Sequence, residues 1–165
     1  MQNQITKLGA PVLRQPVPHI EEITDKEISL INKMRFFLSK VRGWGLAAPQ
    51  IGVSAPVFVY NLGEGFQHVI NPRVAEYGDE FWEYDEGCLS IPGFSFPIWR
   101  PRRTLLRGLD VNGNDIRIEA TDLKARLFQH EVNHLEGKLV IDLLSEDELK
   151  EFKTKWRTLS KKRKR

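Results

Sequence analysis

Residues 127–137 read LFQHEVNHLEG. His130 and His134 stand four apart, with Glu131 directly after the first. On a helix, residues four apart differ by roughly 40° around the axis and about 6 Å along it. The two imidazoles therefore lie side by side and can share one ion at bond lengths near ~2 Å. Leu123 and Leu127 fall on the same face, which turns the imidazoles inward. Glu131 lies on the flank of that face, able to reach a water beside an ion without binding the ion itself. The chemistry this supports is metal-assisted hydrolysis with a carboxylate moving the proton. A plainer reading makes His130 and His134 core histidines and Glu131 a solvated charge, and a lone His-Glu-x-x-His leaves both open. Two buried imidazoles without an ion would compete for partners, at a cost.

Two ligands do not complete a site. One metalloprotease class places a third histidine three residues beyond the glycine, but Val140 stands there, so that class is excluded. Another uses a downstream glutamate. Glu146, Glu148 and Glu151 are available, yet they fall at the start of a terminal helix, whose macrodipole already accounts for them. Cys88 is the remaining candidate, in the segment YDEGCLSIPGFSF. Gly87, Pro92 and Gly93 around it suggest a turn presenting a thiol and backbone amides. A Cys/His/His set leaves a fourth position to water, as catalytic sites do and structural ones do not. The bland alternative is a small buried hydrophobe.

The elements that must position these groups follow from pattern. The 165 residues, 41% hydrophobic and 28% charged, suit one domain over 1–165 with a real core. No run approaches the ~18–20 apolar residues of a membrane span. The segment MQNQITKLGA has no secretory pattern, so a cytoplasmic setting and no membrane partner are expected. A single cysteine allows no internal disulfide. Residues 150–165 hold nine Lys/Arg against one Glu, whereas the rest of the chain is mildly acidic. That asymmetry assigns a polyanionic partner to the tail, not to the body.

A helix is expected over 25–41, opened by a Thr24/Glu27 capping box, with Ile28, Ile31, Leu38 and Val41 on one face and Gly43 as its stop. GWGLAAPQIG (43–52) is too rich in Gly, Ala and Pro for a regular element. PVFVYN (56–61) and QHVINP (67–72) read as strands, 74–84 as extended, and 104–121 as a hairpin with a tight Asn112-Gly113 turn. A helix over about 123–136 takes Asp122 as N-cap and Gly137 as the residue past its end. The last helix starts at Ser145, with a capping box to Glu148 and a stripe of Leu149, Phe152, Trp156 and Leu159. The order argues an α+β fold of mostly antiparallel sheet around the helix that carries the histidines. Residues 145–165 form its basic helix and tail.

GWGLAAPQIG (43–52), EGCLSIPG (86–93) and QHEVNHLEG (129–137), in this order and separation, resemble the three motifs of peptide deformylase. KLGAPVLRQP, VINP and FPIWRP are similar to that family too, so the resemblance covers essentially the whole chain. It implies removal of the N-formyl group from the initiator methionine of nascent bacterial or organellar chains. Cys88, His130 and His134 would hold one divalent ion, Fe²⁺ by family habit, with Zn²⁺, Ni²⁺ or Co²⁺ able to occupy the same donors. Glu131 would take a proton from the attacking water and deliver it to the leaving amine. The Gln50 side-chain amide and the Leu89 backbone N–H would stabilise the developing oxyanion. Gly45 would let the substrate backbone lie close, and Leu123, Leu127 and Tyr84 would wall the methionine pocket. The partners implied are formyl-methionyl nascent peptides and ribosomal RNA, bound through the basic helix by a monomer.

Two positions depart from the family pattern. Asn133 stands where an aspartate is usual, keeping an acceptor but losing a charge. Trp44 replaces a small aliphatic residue between Gly43 and Gly45, which narrows the substrate groove or adds a stacking surface. Outside the family, two other readings stand: a protease taking its third ligand from a downstream glutamate, and a ribosome-binding protein whose ion is structural.

Overall fold

The structure, a computed structural model, describes residues 4–162. Helix α1 (Asp25–Ser39) begins at the expected capping box, Thr24 Oγ1 accepting from Lys26 N–H and Glu27 returning to the Thr24 N–H at 2.8 Å. It ends at Lys40, so Val41 lies outside it. Its buried face is Ile31, Met34, Phe37 and Leu38, while Ile28 stays 40% exposed, one step round the helix from that stripe.

Five antiparallel strands form the main sheet, β1 (Gly45–Ala47), β2 (Val57–Tyr60), β3 (Gln67–Tyr77), β6 (Arg103–Leu109) and β7 (Asp115–Thr121), in the order β1-β2-β3-β6-β7. A separate hairpin pairs β4 (Phe81–Gly87) with β5 (Ser95–Pro101). The extended stretch expected over 74–84 is thus the end of one strand and the start of another in a different sheet. The turn between them is fixed by the Gly78 N–H donating to Arg103 O at 2.8 Å. The β6–β7 hairpin is as expected, but its loop runs from Asp110 to Asn114 in place of a tight two-residue turn. Asp110 organises it, its carboxylate accepting from the Asn112 and Asn114 N–H groups at 2.8 and 2.9 Å.

Strand β2 shows where the core sits. Phe58 and Tyr60 pack with Phe128, Val132 and Leu135 of helix α2 (Asp122–Leu135), whereas Val57 and Val59 pack with Ile31, Met34 and Leu38 of α1. Alternate side chains point to opposite faces, so the sheet lies between the two helices. Against its far side α2 carries the β4–β5 hairpin, where Gln129 Nε2 donates to Pro101 O at 2.9 Å. The fold is α+β, built around the helix bearing the histidines.

Both ends of α2 have local causes. Asp122 is not the N-cap; Thr121 holds that position. Asp122 sits at a left-handed φ of 55°, its carboxylate accepting from Arg102 Nε at 2.6 Å and its N–H donating to Arg102 O, so it is spent on the bend between β5 and β6. Gly137 ends the helix as expected. At φ 72° its N–H donates to His134 O, and Lys138 N–H donates to Asn133 O at 2.9 Å. That is a Schellman close. A Cβ at Gly137 would also meet the backbone of Arg14 at 2.8 Å. Helix α3 (Glu146–Lys162) opens on the Ser145/Glu148 capping box. Phe152 is buried and Trp156 half-buried, but Leu159 is exposed, so the apolar stripe is one turn shorter than expected. The end of the basic run, residues 163–165, lies outside the described residues.

Candidate active site

Helix α2 brings His130 and His134 together as its spacing requires, their rings 4.9 Å apart between centroids. The turn after β4 carries Cys88 to them. Cys88 Sγ lies 3.4 Å from His134 Nε2, and His134 Nε2 lies 3.2 Å from His130 Nε2. Tetrahedral bonds of about 2.0–2.3 Å to N and S give edges of roughly 3.3–3.6 Å between ligand atoms. The three side chains therefore fit one ion, with all ligand atoms within 4.8 Å of one another. Glu146 and Glu151 lie exposed on α3 and Glu148 is engaged with Ser145, so the downstream-glutamate reading finds no ligand there.

The tautomer of His130 is set from behind. Its Nδ1 bonds Glu86 Oε1 at 2.6 Å, which leaves Nε2 to face the cluster. Glu86 is buried and also accepts from Arg100, through Nε at 2.9 Å and Nη2 at 2.7 Å, and from Arg126 Nη1 at 2.9 Å. Burial raises the Glu86 pKa, but the bonds from His130 and Arg100 overcome it and hold the carboxyl well below its usual range. Arg100 Nη1 donates to Asn133 Oδ1 at 2.9 Å, so the unusual asparagine is a neutral acceptor for a buried guanidinium. Arg126 extends the network to Trp82 O at 3.0 Å and lies over the Trp82 ring. Sequence reasoning missed Glu86, Arg100 and Arg126. Arginine is rarely buried, and the one signal for Glu86 was its place two residues before Cys88.

Burial raises the Cys88 thiol pKa, yet the neighbouring His134 charge and bonds with both histidines bring it well below the ordinary value. His130 is lowered by burial and carried well above its usual value by Cys88 and Glu86. This is a polarised thiolate–imidazole set, which a divalent cation can take over by displacing protons. Glu131 is buried, and its Oε2 has no hydrogen-bond partner. Burial pushes its carboxyl up to about 7 against the opposing pull of His130 and His134. A carboxyl poised near neutrality beside an ion site is suited to proton transfer.

Gln50 is buried on the 3-10 turn Ala48–Ile51, not a surface loop residue. Its Oε1 accepts from Ala47 N–H at 2.9 Å, which aims Nε2 at Ser90 Oγ (3.3 Å) and Cys88 Sγ (3.7 Å). The Leu89 N–H has no partner among the described residues. Gly45 is needed for space: a Cβ there would collide with Glu131 Oε1 and lie 2.7 Å from Leu127 Cδ1. Cys88, His130, Glu131, Gln50, Leu89 and Gly45 line one open groove of about 740 Å³, with Leu123, Leu127, Tyr84 and Trp44.

What the fold and the groove suit is a class, metal-dependent hydrolases: three donors that could hold one ion, with a buried carboxyl beside them. Comparison with known proteins narrows the class. The sequence profile of the polypeptide deformylase family matches residues 2–150. A peptide deformylase of Halothermothrix orenii is 44% identical over 142 residues, covering 84% of this chain and 91% of that protein. Peptide deformylase 1B, chloroplastic/mitochondrial, of Arabidopsis thaliana is 34% identical over 164 residues, covering 96% of this chain and 60% of that protein. Among solved structures, a Legionella pneumophila peptide deformylase superposes with TM-score 0.90 at 31% identity, covering 98% of this chain and 97% of that one. The chain belongs to the polypeptide deformylase family, hydrolases that remove the formyl group from an N-terminal methionine.

Proposed function

We propose that Cys88, His130 and His134 hold the ion of this deformylase and that Glu131 is its general base and acid. The observation that carries the assignment is Glu131, a buried carboxyl with a partnerless Oε2, lining the same groove as a cluster that fits one ion. An ion on these donors supplies Lewis acidity and a water that ionises near neutral pH. Glu131 is placed to take a proton from a water attacking the formyl carbon and to return it to the methionine nitrogen as formate leaves. The Gln50 Nε2–H, which reaches Cys88 Sγ at 3.7 Å, and the N–H of Leu89, the residue after Cys88, donate to the oxyanion. Leu123, Leu127 and Tyr84 receive the methionine side chain, and β1, the free edge of the main sheet, borders the extended peptide.

Formate release from formyl-Met-Ala-Ser by protein loaded anaerobically with Fe²⁺, or with Ni²⁺, tests the reading. Turnover is expected, and absence of formate with bound metal would overturn it. The ion held in the cell is Fe²⁺, with Zn²⁺, Ni²⁺ and Co²⁺ as alternatives suited to a thiolate and two imidazoles. Metal analysis after anaerobic purification decides among them. In Cys88→Ser, retained metal and activity would return the protease reading.

Residues 1–165 act as one catalytic domain and as a monomer. The setting is the cytoplasm, where nascent formylated chains emerge. No helix among the described residues is long and apolar enough to cross a membrane. Residues 145–165 attach the enzyme to ribosomal RNA. In support, Lys150, Lys153, Lys155, Arg157 and Lys161 are all exposed along α3, and the family profile ends at residue 150, before most of them. Phe152 anchors the helix in the core, 5.0 Å from Phe94 and 5.5 Å from Phe96 between ring centroids. Charge reversal, not truncation, is therefore the clean test. Lys153→Glu with Arg157→Glu should abolish co-sedimentation with ribosomes at low salt, and unchanged co-sedimentation would refute attachment.

A further inference from the structure

The groove over the cluster has two unlike banks. One is β4, with Tyr84 and Asp85. The other is the stretch Val41, Arg42, Gly43 and Trp44, joined by Lys7 from the N-terminal segment. Close packing makes the second bank continuous. A Cβ at Gly43 would lie 3.0 Å from Leu89 Cδ1, and Lys7 Nζ donates to Leu89 O at 3.0 Å. Two residues further on, Gly45 contacts Leu127 and Glu131 instead. Gly43 and Gly45 therefore face different walls, and the exposed residues Arg42 and Trp44 beside Gly43 mark the open end of the groove.

That open end is basic and aromatic. Arg42 is exposed and has no hydrogen bond or ion pair among the described residues. Lys7 stands across Leu89 from Gly43. Trp44 leaves half of its surface exposed, 51%, at the groove rim. The acids that line the groove are elsewhere. Asp85 is on the opposite bank, Glu131 is beside the cluster, and Glu86 is committed to Arg100, Arg126 and His130.

We propose that Arg42, supported by Lys7 and Trp44, selects formylated peptides with an acidic side chain at the second or third residue. The inference rests on the deformylase reading of the same groove. With the formyl carbon at the cluster and the methionine side chain against Leu123 and Leu127, an extended peptide advances about 3.3 Å per residue. Its next two residues therefore pass the bank formed by residues 42–44 and Leu89. A carboxylate there meets the Arg42 guanidinium, while the Trp44 indole covers the methylenes that carry it.

Steady-state kinetics on the metal-loaded enzyme test this with formyl-Met-Asp-Ala, formyl-Met-Ala-Asp and their Lys and Ala counterparts. The acidic peptides should exceed the alanine control by about 3-fold in kcat/KM, with lysine below it, as one solvent-exposed ion pair permits. The difference should sit in KM and fade at ~0.5 M salt. Arg42→Glu should invert the ranking, and Arg42→Lys should keep it. An absent ranking in the wild type, or the same ranking in Arg42→Glu, overturns the proposal. Formate from none of the peptides, formyl-Met-Ala-Ser included, would instead bring down the deformylase reading and this proposal with it.

Discussion

Helices α2 and α3 are similar in length and opposite in what they do with charge. Along α2, Arg126, Gln129, His130, Glu131 and His134 are all buried. Along α3, Phe152 is buried while the charged residues face solvent. Arg126, Gln129, His130 and His134 each have at least one named partner, whereas Glu131 has none for its Oε2, and a charge removed from water is tolerated only when paired. On α3 the charges keep their water, and their pairs, such as Lys155 with Glu151, are exposed. Change on α2 should therefore act through specific contacts and be costly. Change on α3 should be cheap for the fold and act only at long range.

The largest effect is expected at Glu131, the member of the α2 set left with an unpartnered oxygen. Glu131→Gln keeps the shape and removes proton transfer, so kcat should fall by about 10²–10⁴-fold with bound metal unchanged. Activity within a few-fold of wild type would end its role and leave α2 a purely structural contrast to α3.

Next is Glu86, which answers to His130, Arg100 and Arg126 together. Glu86→Ala leaves two buried guanidiniums uncompensated and should cost about 3–5 kcal/mol, read by urea unfolding. Its pH dependence follows from the direction of the shift. A carboxyl held below its usual range in the fold lends stability that is complete above the unfolded value near ~4.3 and drains away as pH falls below it. Wild type should thus lose stability faster than Glu86→Gln on acidification below about pH 4.5. Parallel pH curves would show that Glu86 does not carry the charge assigned to it.

These two helices also show what the sequence made legible. The histidine spacing, the capping boxes at Thr24 and Ser145 and the glycine close at Gly137 are local, since the groups that interact lie within five residues of each other. They could be read directly, as could the α+β order of elements. Cys88 was reachable only by eliminating other ligands and by resemblance, because its contact to His134 spans 46 positions. Arg100, Arg126 and Glu86 were not legible at all. Their burial depends on β4, β5 and α2 meeting, which no periodicity in one segment encodes. The errors have the same origin. Asp122 looked like a cap because its partner, Arg102, lies twenty residues away in the bend between β5 and β6. Leu159 fits the helical stripe, but the body it would dock on ends near Trp156.

Gly45→Ala probes how tightly α2 and the first motif are fitted. The added Cβ meets Glu131 Oε1 and Leu127, so about 1–3 kcal/mol of strain is expected, together with lower kcat as the carboxylate is displaced. Unchanged kcat would mean that Glu131 has freedom its burial denies. Asn133→Asp should act in the other direction. It gives Arg100 a charged acceptor at 2.9 Å, within a network where two guanidiniums share one carboxylate, and should raise stability by about 1 kcal/mol. A loss would show that the neutral amide is the better fit.

The smallest effect belongs to α3. Lys153 and Arg157 are exposed, and neither has an ion pair among the described residues. Exposed charges of this kind shift stability by no more than about 0.5 kcal/mol. The double substitution to glutamate should leave the urea midpoint and turnover of formyl-Met-Ala-Ser unchanged while removing salt-sensitive binding to ribosomes. A drop in stability approaching that of Glu86→Ala would erase the contrast between the helices, because α3 would then be holding the fold through its charges and not through Phe152.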